Sequence, residues 1–288
     1  MSTSIGIAGT GRMGTAFARR LIETGHAVRV WNRSPERTAG AVAAGAVACD
    51  PAGLADCGTI VLSLTDAKAS SAVLAALADT GLAGRLVIDM STLLPDAAED
   101  LGQLVMAAGA TFVHCPVGGT VAPALKGQLL GLAGGTPEAF ARAKPVLEAL
   151  CRRVEHLGGP GAAARMKLAV NLPLAIYWQT LGEALALLRG AEVSHELAIS
   201  LIADSSGGPT VLKNRAQVVI DTLNGTDQPG TFDIAGLIKD LQLALRLAGA
   251  EGAALPVAQA AAPRLQAALD AGLGGFDGAS LTRLTAGT

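Results

Sequence analysis

"SIGIAGTGRMGTAFARRL", residues 4–21, decides the fold. A short apolar run meets Gly9, Gly11 and Gly14 in a G-x-G-x-x-G pattern, and an Ala-rich stretch of helical character follows at once. In such a strand–turn–helix, Gly9 permits the tight turn, Gly11 admits a pyrophosphate to the backbone, and Gly14 lets helix and strand pack closely. The helix start, around Arg12 and Met13, offers N–H donors and a positive dipole to phosphate. An isolated G-x-G-x-x-G occurs in ordinary glycine turns. Here the context is complete, because a second strand ends roughly 20 residues on, as a dinucleotide site requires.

Outward from that stretch, "AVRVWN", "TIVLSL", "RLVIDM" and "ATFVHCP" repeat the short apolar runs of buried strands, bounded by Gly, Pro or polar residues. Helical patterns fill the gaps over residues 13–24, 35–44, 67–79, 95–108 and 137–151; Pro35, Pro95 and Pro137 sit where a first turn tolerates a missing N–H. Alternation of this kind predicts an α/β domain with a doubly wound, mostly parallel sheet. After Gly161 the strand signals stop. One long helix is expected over 162–190, bent at Pro173, followed by helical patterns separated by "SSGGP", "GTDQPGTF" and "EGAALP". The expected division is therefore 1–161, a Rossmann nucleotide domain, and 162–288, an all-helical domain for substrate and dimer contacts.

Composition bounds the partners. Half of the 288 residues are hydrophobic and the formal charge is −2, with acids and bases interspersed, so no basic face is offered to nucleic acid or an anionic membrane. Residues 101–125 carry no Lys, Arg, Asp or Glu, but their glycines, prolines and histidine break any membrane helix. The N-terminus lacks the basic start and long apolar run of a signal peptide. Cys49, Cys57, Cys115 and Cys151 form no CxxC pair and read as reduced thiols of a cytoplasmic protein. The scattered His and Cys residues have no ligand spacing, so no metal is expected.

The end of the second strand reads "VWNRSPER". An NAD site wants a carboxylate there for the ribose 2′-hydroxyl; this chain has Asn32, then Arg33, Ser34 and Arg37. A guanidinium pairs with a 2′-phosphate, and the missing carboxylate removes a repulsion. NADP is the expected cofactor, with NAD as the alternative; a solvated loop with incidental arginines is the bland reading.

"RMKLAVNLP", residues 165–173, places Lys167 and Asn171 four apart in an aliphatic run, so they project together from one helix face. An ammonium donates a proton to a carbonyl oxygen and stabilises a developing alkoxide, and an apolar cleft makes it a readier acid. Asn171 offers donor and acceptor without charge. Taken alone, the stretch also fits a snorkelling lysine and an asparagine serving a backbone carbonyl near Pro173. Small residues after a strand, Pro116, Val117, Gly118, Gly119 and Thr120, form either a concavity of backbone N–H groups for a carboxylate or a plain glycine turn. His114 reads as a structural histidine at a strand end.

The signatures "GTGRMGTAFARRLIETGHAVRVWNRS", "VIDMSTLLP", "CPVGGTVAPALKGQL", "GGPGAAARMKLAVN" and "LIKDLQLAL", in this order, resemble the β-hydroxyacid dehydrogenase family, whose members include 3-hydroxyisobutyrate dehydrogenase and tartronate semialdehyde reductase. The resemblance implies a 6-phosphogluconate-dehydrogenase-like nucleotide domain, a long interdomain helix, a helical C-terminal domain, and a homodimer or homotetramer. It implies a small carboxylate substrate, Lys167 as catalytic residue with Asn171 orienting the substrate, and 116–120 as the substrate loop. Lys239 is implied near nicotinamide and substrate, with Asp240 beside it; Leu64, Thr65, Ser91 and Thr92 complete the cofactor set. The loop departs from the family pattern: Gly118 stands in place of a serine, Thr120 in place of a glycine, and His114 in place of a frequent acid. Two rivals are an imine reductase, which generally lacks a lysine at position 167, and a non-catalytic nucleotide-binding protein.

Overall fold

The central strands of the nucleotide sheet are buried on both faces, and their side chains divide between two cores. Ile5, Ile7, Val61, Leu86, Ile88 and Val113 enter one core; Ile60, Leu62, Val87 and Phe112 enter the other. This follows from period-two alternation in strands apolar along their whole length. The computed structural model describes residues 4–78 and 81–287, so Asp79, the expected end of the helix over 67–79, lies outside them.

The chain forms two compact units, Met1–Leu168 and Ala169–Thr288. In the first, strands β1 (Ile5–Ala8), β2 (Val28–Trp31), β3 (Val47–Ala48), β4 (Thr59–Leu62), β5 (Leu86–Asp89) and β6 (Thr111–His114) make one sheet in the order β3-β2-β1-β4-β5-β6. All its pairs are parallel. Around it run α1 (Arg12–Glu23), α2 (Ala39–Val42), α3 (Pro51–Ala55), α4 (Ala67–Ala78), α5 (Pro95–Ala107), α6 (Val121–Leu125) and α7 (Pro137–Leu150). A second sheet of β7 (Val117–Gly118), β8 (Leu129–Ala133) and β9 (Cys151–His156) follows the first.

The doubly wound architecture is as expected, with local differences. The helix expected over 35–44 is a 3₁₀ turn, Pro35–Thr38, followed by the single-turn α2. Cys151 opens β9 rather than closing α7. The second sheet and β3 were not anticipated: β3 and β7 are only two residues long and β9, "CRRVEH", is charged because much of it faces water, whereas β8, "LLGLA", is a mostly buried apolar run of the kind that marks a strand.

Helix α8 (Pro160–Ala186) runs from the first unit into the second and contains Pro173. Its start is held by Glu99, whose carboxylate accepts the Gly161 N–H at 2.8 Å. Glycine is required at position 134 nearby, since a Cβ there would lie 2.3 Å from the Gly159 carbonyl oxygen. The second unit is helical: α9 (His195–Asp204), α10 (Thr210–Leu223), α11 (Ile234–Ala250), α12 (Pro256–Asp270) and α13 (Ser280–Ala286) enclose a core with Trp178, Leu181, Leu212, Leu237 and Leu265. Arg215 on α10 pairs with Asp277 in the loop before α13, and Arg283 on α13 pairs with Asp227 in the loop before α11. Among the described residues no helix is long and apolar enough to cross a membrane.

Phe17, fully enclosed on α1, tests the first core. Phe17→Ala is expected to lower stability by about 3–5 kcal/mol. Val47→Ala, at an exposed edge-strand position, should stay within about 0.5 kcal/mol of the parent. Urea unfolding of both variants measures the contrast.

Candidate active site

The glycine loop joins β1 to α1 under tight steric limits. Gly9 has φ +95°, and a Cβ on it would approach the Ser63 carbonyl oxygen to 2.3 Å. A Cβ on Gly14 would lie 1.8 Å from the Gly9 carbonyl oxygen, so helix and strand meet at backbone distance. Gly11 differs: nothing lies within 4 Å of its Cβ position, and it caps α1 without any side-chain bond to the helix N–H groups. Open space beside uncapped N–H donors is what a pyrophosphate needs, so the loop fits a dinucleotide.

Asn32, at the end of β2, holds this loop. Its Oδ1 accepts the Thr10 N–H at 3.0 Å and its Nδ2 donates to the Ser34 carbonyl at 3.0 Å. The carboxamide therefore bridges two backbone segments. Arg33 and Arg37 are exposed, and neither joins an ion pair among the described residues. Arg12 is also exposed, whereas Met13 packs partly against the core.

At the carboxyl ends of β4 and β5, where ligands bind in doubly wound sheets, the Leu64 N–H donates to Ser91 Oγ at 3.1 Å. The Ser91 N–H in turn donates to Asp89 Oδ1 at 2.8 Å. Thr65 Oγ1 donates to Asp66, and Thr92 follows Ser91 half-buried. Asp89 is a buried acid at the end of an apolar strand, and its pattern partner on β6 is His114. Neither was singled out as a site residue; the readable signal was an acid closing "RLVIDM". Burial pushes the His114 imidazole below its ordinary titration range, against the opposing pull of Asp89. Burial also raises the Cys115 thiol well above its ordinary range, helped by Cys151, which leaves Cys115 a packing group rather than a nucleophile.

The loop 115–120 starts from β6. The Cys115 N–H donates to the Asp89 carbonyl at 2.7 Å, and the Pro116 carbonyl accepts the Leu132 N–H at 3.1 Å. Gly119 has φ +120° and its Cβ position is filled by Leu129, so glycine is required there; at Gly118 a Cβ would meet only Leu130, at ordinary contact distance. Thr120 precedes α6 without capping it through its side chain. Lys167 is buried, and its Nζ donates to the Val117 carbonyl at 2.9 Å. The structure thus brings the lysine and the small-residue loop together, through a backbone carbonyl that residue types alone do not reveal.

One helical turn further along α8, buried Asn171 belongs to the second unit. Its Nδ2 donates to Asp240 Oδ2 at 2.6 Å. Lys239 Nζ lies 3.0 Å from Asp240 Oδ1, an ion pair rather than an aligned hydrogen bond, since that oxygen accepts none among the described residues. Asp240 therefore fixes the Asn171 carboxamide and balances Lys239. Among the described residues no group of three His, Cys, Asp or Glu side chains is placed to hold a metal.

Two family models match in tandem. Residues 4–158 match the NAD binding domain of 6-phosphogluconate dehydrogenase, and residues 161–285 match the NAD-binding region of NADP-dependent 3-hydroxyisobutyrate dehydrogenase. The chain is 34% identical to a 3-hydroxyisobutyrate dehydrogenase of Pseudomonas aeruginosa, over 99% of each chain. Among solved structures, a 3-hydroxyisobutyrate dehydrogenase of Mycobacterium tuberculosis with L-serine superposes at TM-score 0.86, with 26% identity over 99% of both chains. Psf3 in complex with NADP+ and 2-OPP also superposes at 0.86, with 26% identity over 97% of this chain and 99% of that one.

The glycine geometry gives a direct test. Gly14→Ala is expected to abolish NADPH binding, read as loss of the cofactor's fluorescence change on titration. Gly249→Ala, in open space on α11, should leave the titration unchanged.

Proposed function

We propose that this chain, which belongs to the β-hydroxyacid dehydrogenase family, is an NADP-dependent oxidoreductase with Lys167 as its general acid and base. When bound, the nicotinamide supplies or accepts the hydride exchanged with a small β-hydroxyacid or its semialdehyde. The observation that carries the reading is the buried Lys167 amine, held 2.9 Å from the Val117 carbonyl beside the loop Pro116–Thr120.

In reduction, the Lys167 ammonium donates a proton to the substrate carbonyl oxygen; in oxidation, its neutral amine takes the proton from the hydroxyl. A positive charge at that point also stabilises the developing alkoxide. Asn171, oriented by Asp240, positions the substrate. Backbone N–H groups of the 116–120 loop receive the carboxylate, and Lys239 adds positive charge for it.

Gly9, Gly11, Arg12, Met13 and Gly14 would hold the pyrophosphate, with Leu64, Thr65, Ser91 and Thr92 beside the nicotinamide half. NADP is favoured by the absence of a carboxylate at position 32 and by the exposed Arg33 and Arg37, with Ser34 between them. Residues 1–161 serve the cofactor and 162–288 the substrate and a homodimer or homotetramer. Leu197 and Leu201, four apart on α9 and both more than half exposed, support such self-association. Four free thiols support a cytoplasmic setting. The retained Lys167 favours this reading over an imine reductase.

Lys167→Ala should lower kcat by about 10²–10⁴-fold while NADPH affinity changes less than twofold. Turnover retained by the variant would overturn the assignment. Arg33→Ala is expected to weaken NADPH binding about tenfold, as loss of a charge-assisted phosphate contact does, with NADH binding unchanged. A steady-state panel of semialdehydes and cyclic imines tests the substrate class, and reduction of imines alone would refute it.

A further inference from the structure

Asp89 and His114 close adjacent parallel strands as register partners, so their side chains lie on the same face of the sheet, about 5 Å apart at their backbones. Both are wholly shielded from solvent. Asp89 Oδ1 accepts the Ser91 N–H, but Asp89 Oδ2 lacks a hydrogen-bond partner among the described residues, and the His114 ring, which interacts with the Asp89 backbone, makes no aligned hydrogen bond through either nitrogen. Three such atoms in one buried place are costly unless they serve each other. An imidazole carries an N–H donor in either tautomer and a carboxylate has acceptor capacity to spare, so a rotation of the ring makes the two complementary.

We infer that Asp89 and His114 act as a buried carboxylate–imidazole pair whose hydrogen bond positions the loop carrying Val117, and through it the Lys167 amine. His114 is a positioning residue, because it reaches the reacting groups only through others. Its backbone exchanges two hydrogen bonds with Gly134, at 2.9 and 2.8 Å, and the next residue, Cys115, donates to the Asp89 carbonyl. Two residues further on, the Val117 carbonyl receives Lys167 Nζ. On the other strand, Asp89 orients Ser91, whose hydroxyl oxygen takes the Leu64 N–H. The pair therefore joins the loop beside the lysine to the segments expected to border the cofactor. Small displacements of a proton donor are expensive in rate, since a misplacement of about 1 Å costs on the order of 10²-fold.

The inference rests on Lys167 as proton donor, and the experiment separates the two claims. His114→Phe removes the donor at similar volume, His114→Asn keeps a donor, and Asp89→Asn removes the charge. His114→Phe should lower kcat at least tenfold with KM and NADPH affinity within threefold, His114→Asn should recover most of the loss, and Asp89→Asn combined with His114→Phe should be no worse than the poorer single variant. Normal kcat in folded His114→Phe, with Lys167→Ala inactive, overturns the pair and leaves the lysine assignment standing. Active Lys167→Ala overturns the lysine instead. Should His114→Phe fail to fold, nitrogen-15 spectra of the intact, histidine-labelled protein decide. A slowly exchanging, downfield ring N–H that vanishes in Asp89→Asn supports the pair, and its absence from the intact protein refutes it.

Discussion

A Cβ at position 14 would stand 1.8 Å from the Gly9 carbonyl oxygen, less than any non-bonded contact allows. Only because both residues are glycine does α1 start directly on the end of β1. That closeness aims the uncapped N–H groups of the helix at the space above Gly11. The bond from Thr10 to Asn32 then ties the loop to β2, so the same turn also sets where Arg33 begins. The position of the helix start and the link from the loop to β2 both depend on one backbone-to-backbone approach.

Lys167 faces a different problem, since a polar head taken out of water must find partners. A buried ammonium needs acceptors, and Lys167 has the Val117 carbonyl. In the helical unit, Asp240 balances Lys239 and accepts from Asn171, so one carboxylate orders a charge and an amide together. The loop Pro116–Thr120 takes its shape from Gly119, at positive φ, and from pairing with β8. At Gly118 the backbone would tolerate a side chain, so the fold does not require glycine there.

Much of this was legible in the amino-acid order. Strands apolar along their whole length announce burial on both faces, and the glycine spacing beside them announces the turn and its ligand. Lys167 and Asn171 were readable as a pair because helical periodicity puts residues four apart on one face. The family match over nearly the whole chain agrees with the reading of the fold. Short elements were not legible: β3 and β7 have two residues each, too few for any periodicity, and the charges of β9 mark an exposed strand that resembles a loop.

Sequence alone, then, determined the architecture, the glycine turn of the nucleotide domain and the pairing of Lys167 with Asn171 on one helix, because each is written in local spacing and residue type. Tertiary structure decided the partners. That Asn32 holds backbone, that Val117 receives the lysine, that Asp240 orients Asn171 and that Asp89 faces His114 are contacts between residues 22, 50, 69 and 25 positions apart. No local pattern encodes such pairings, because they exist only once strands are in register and helices are packed.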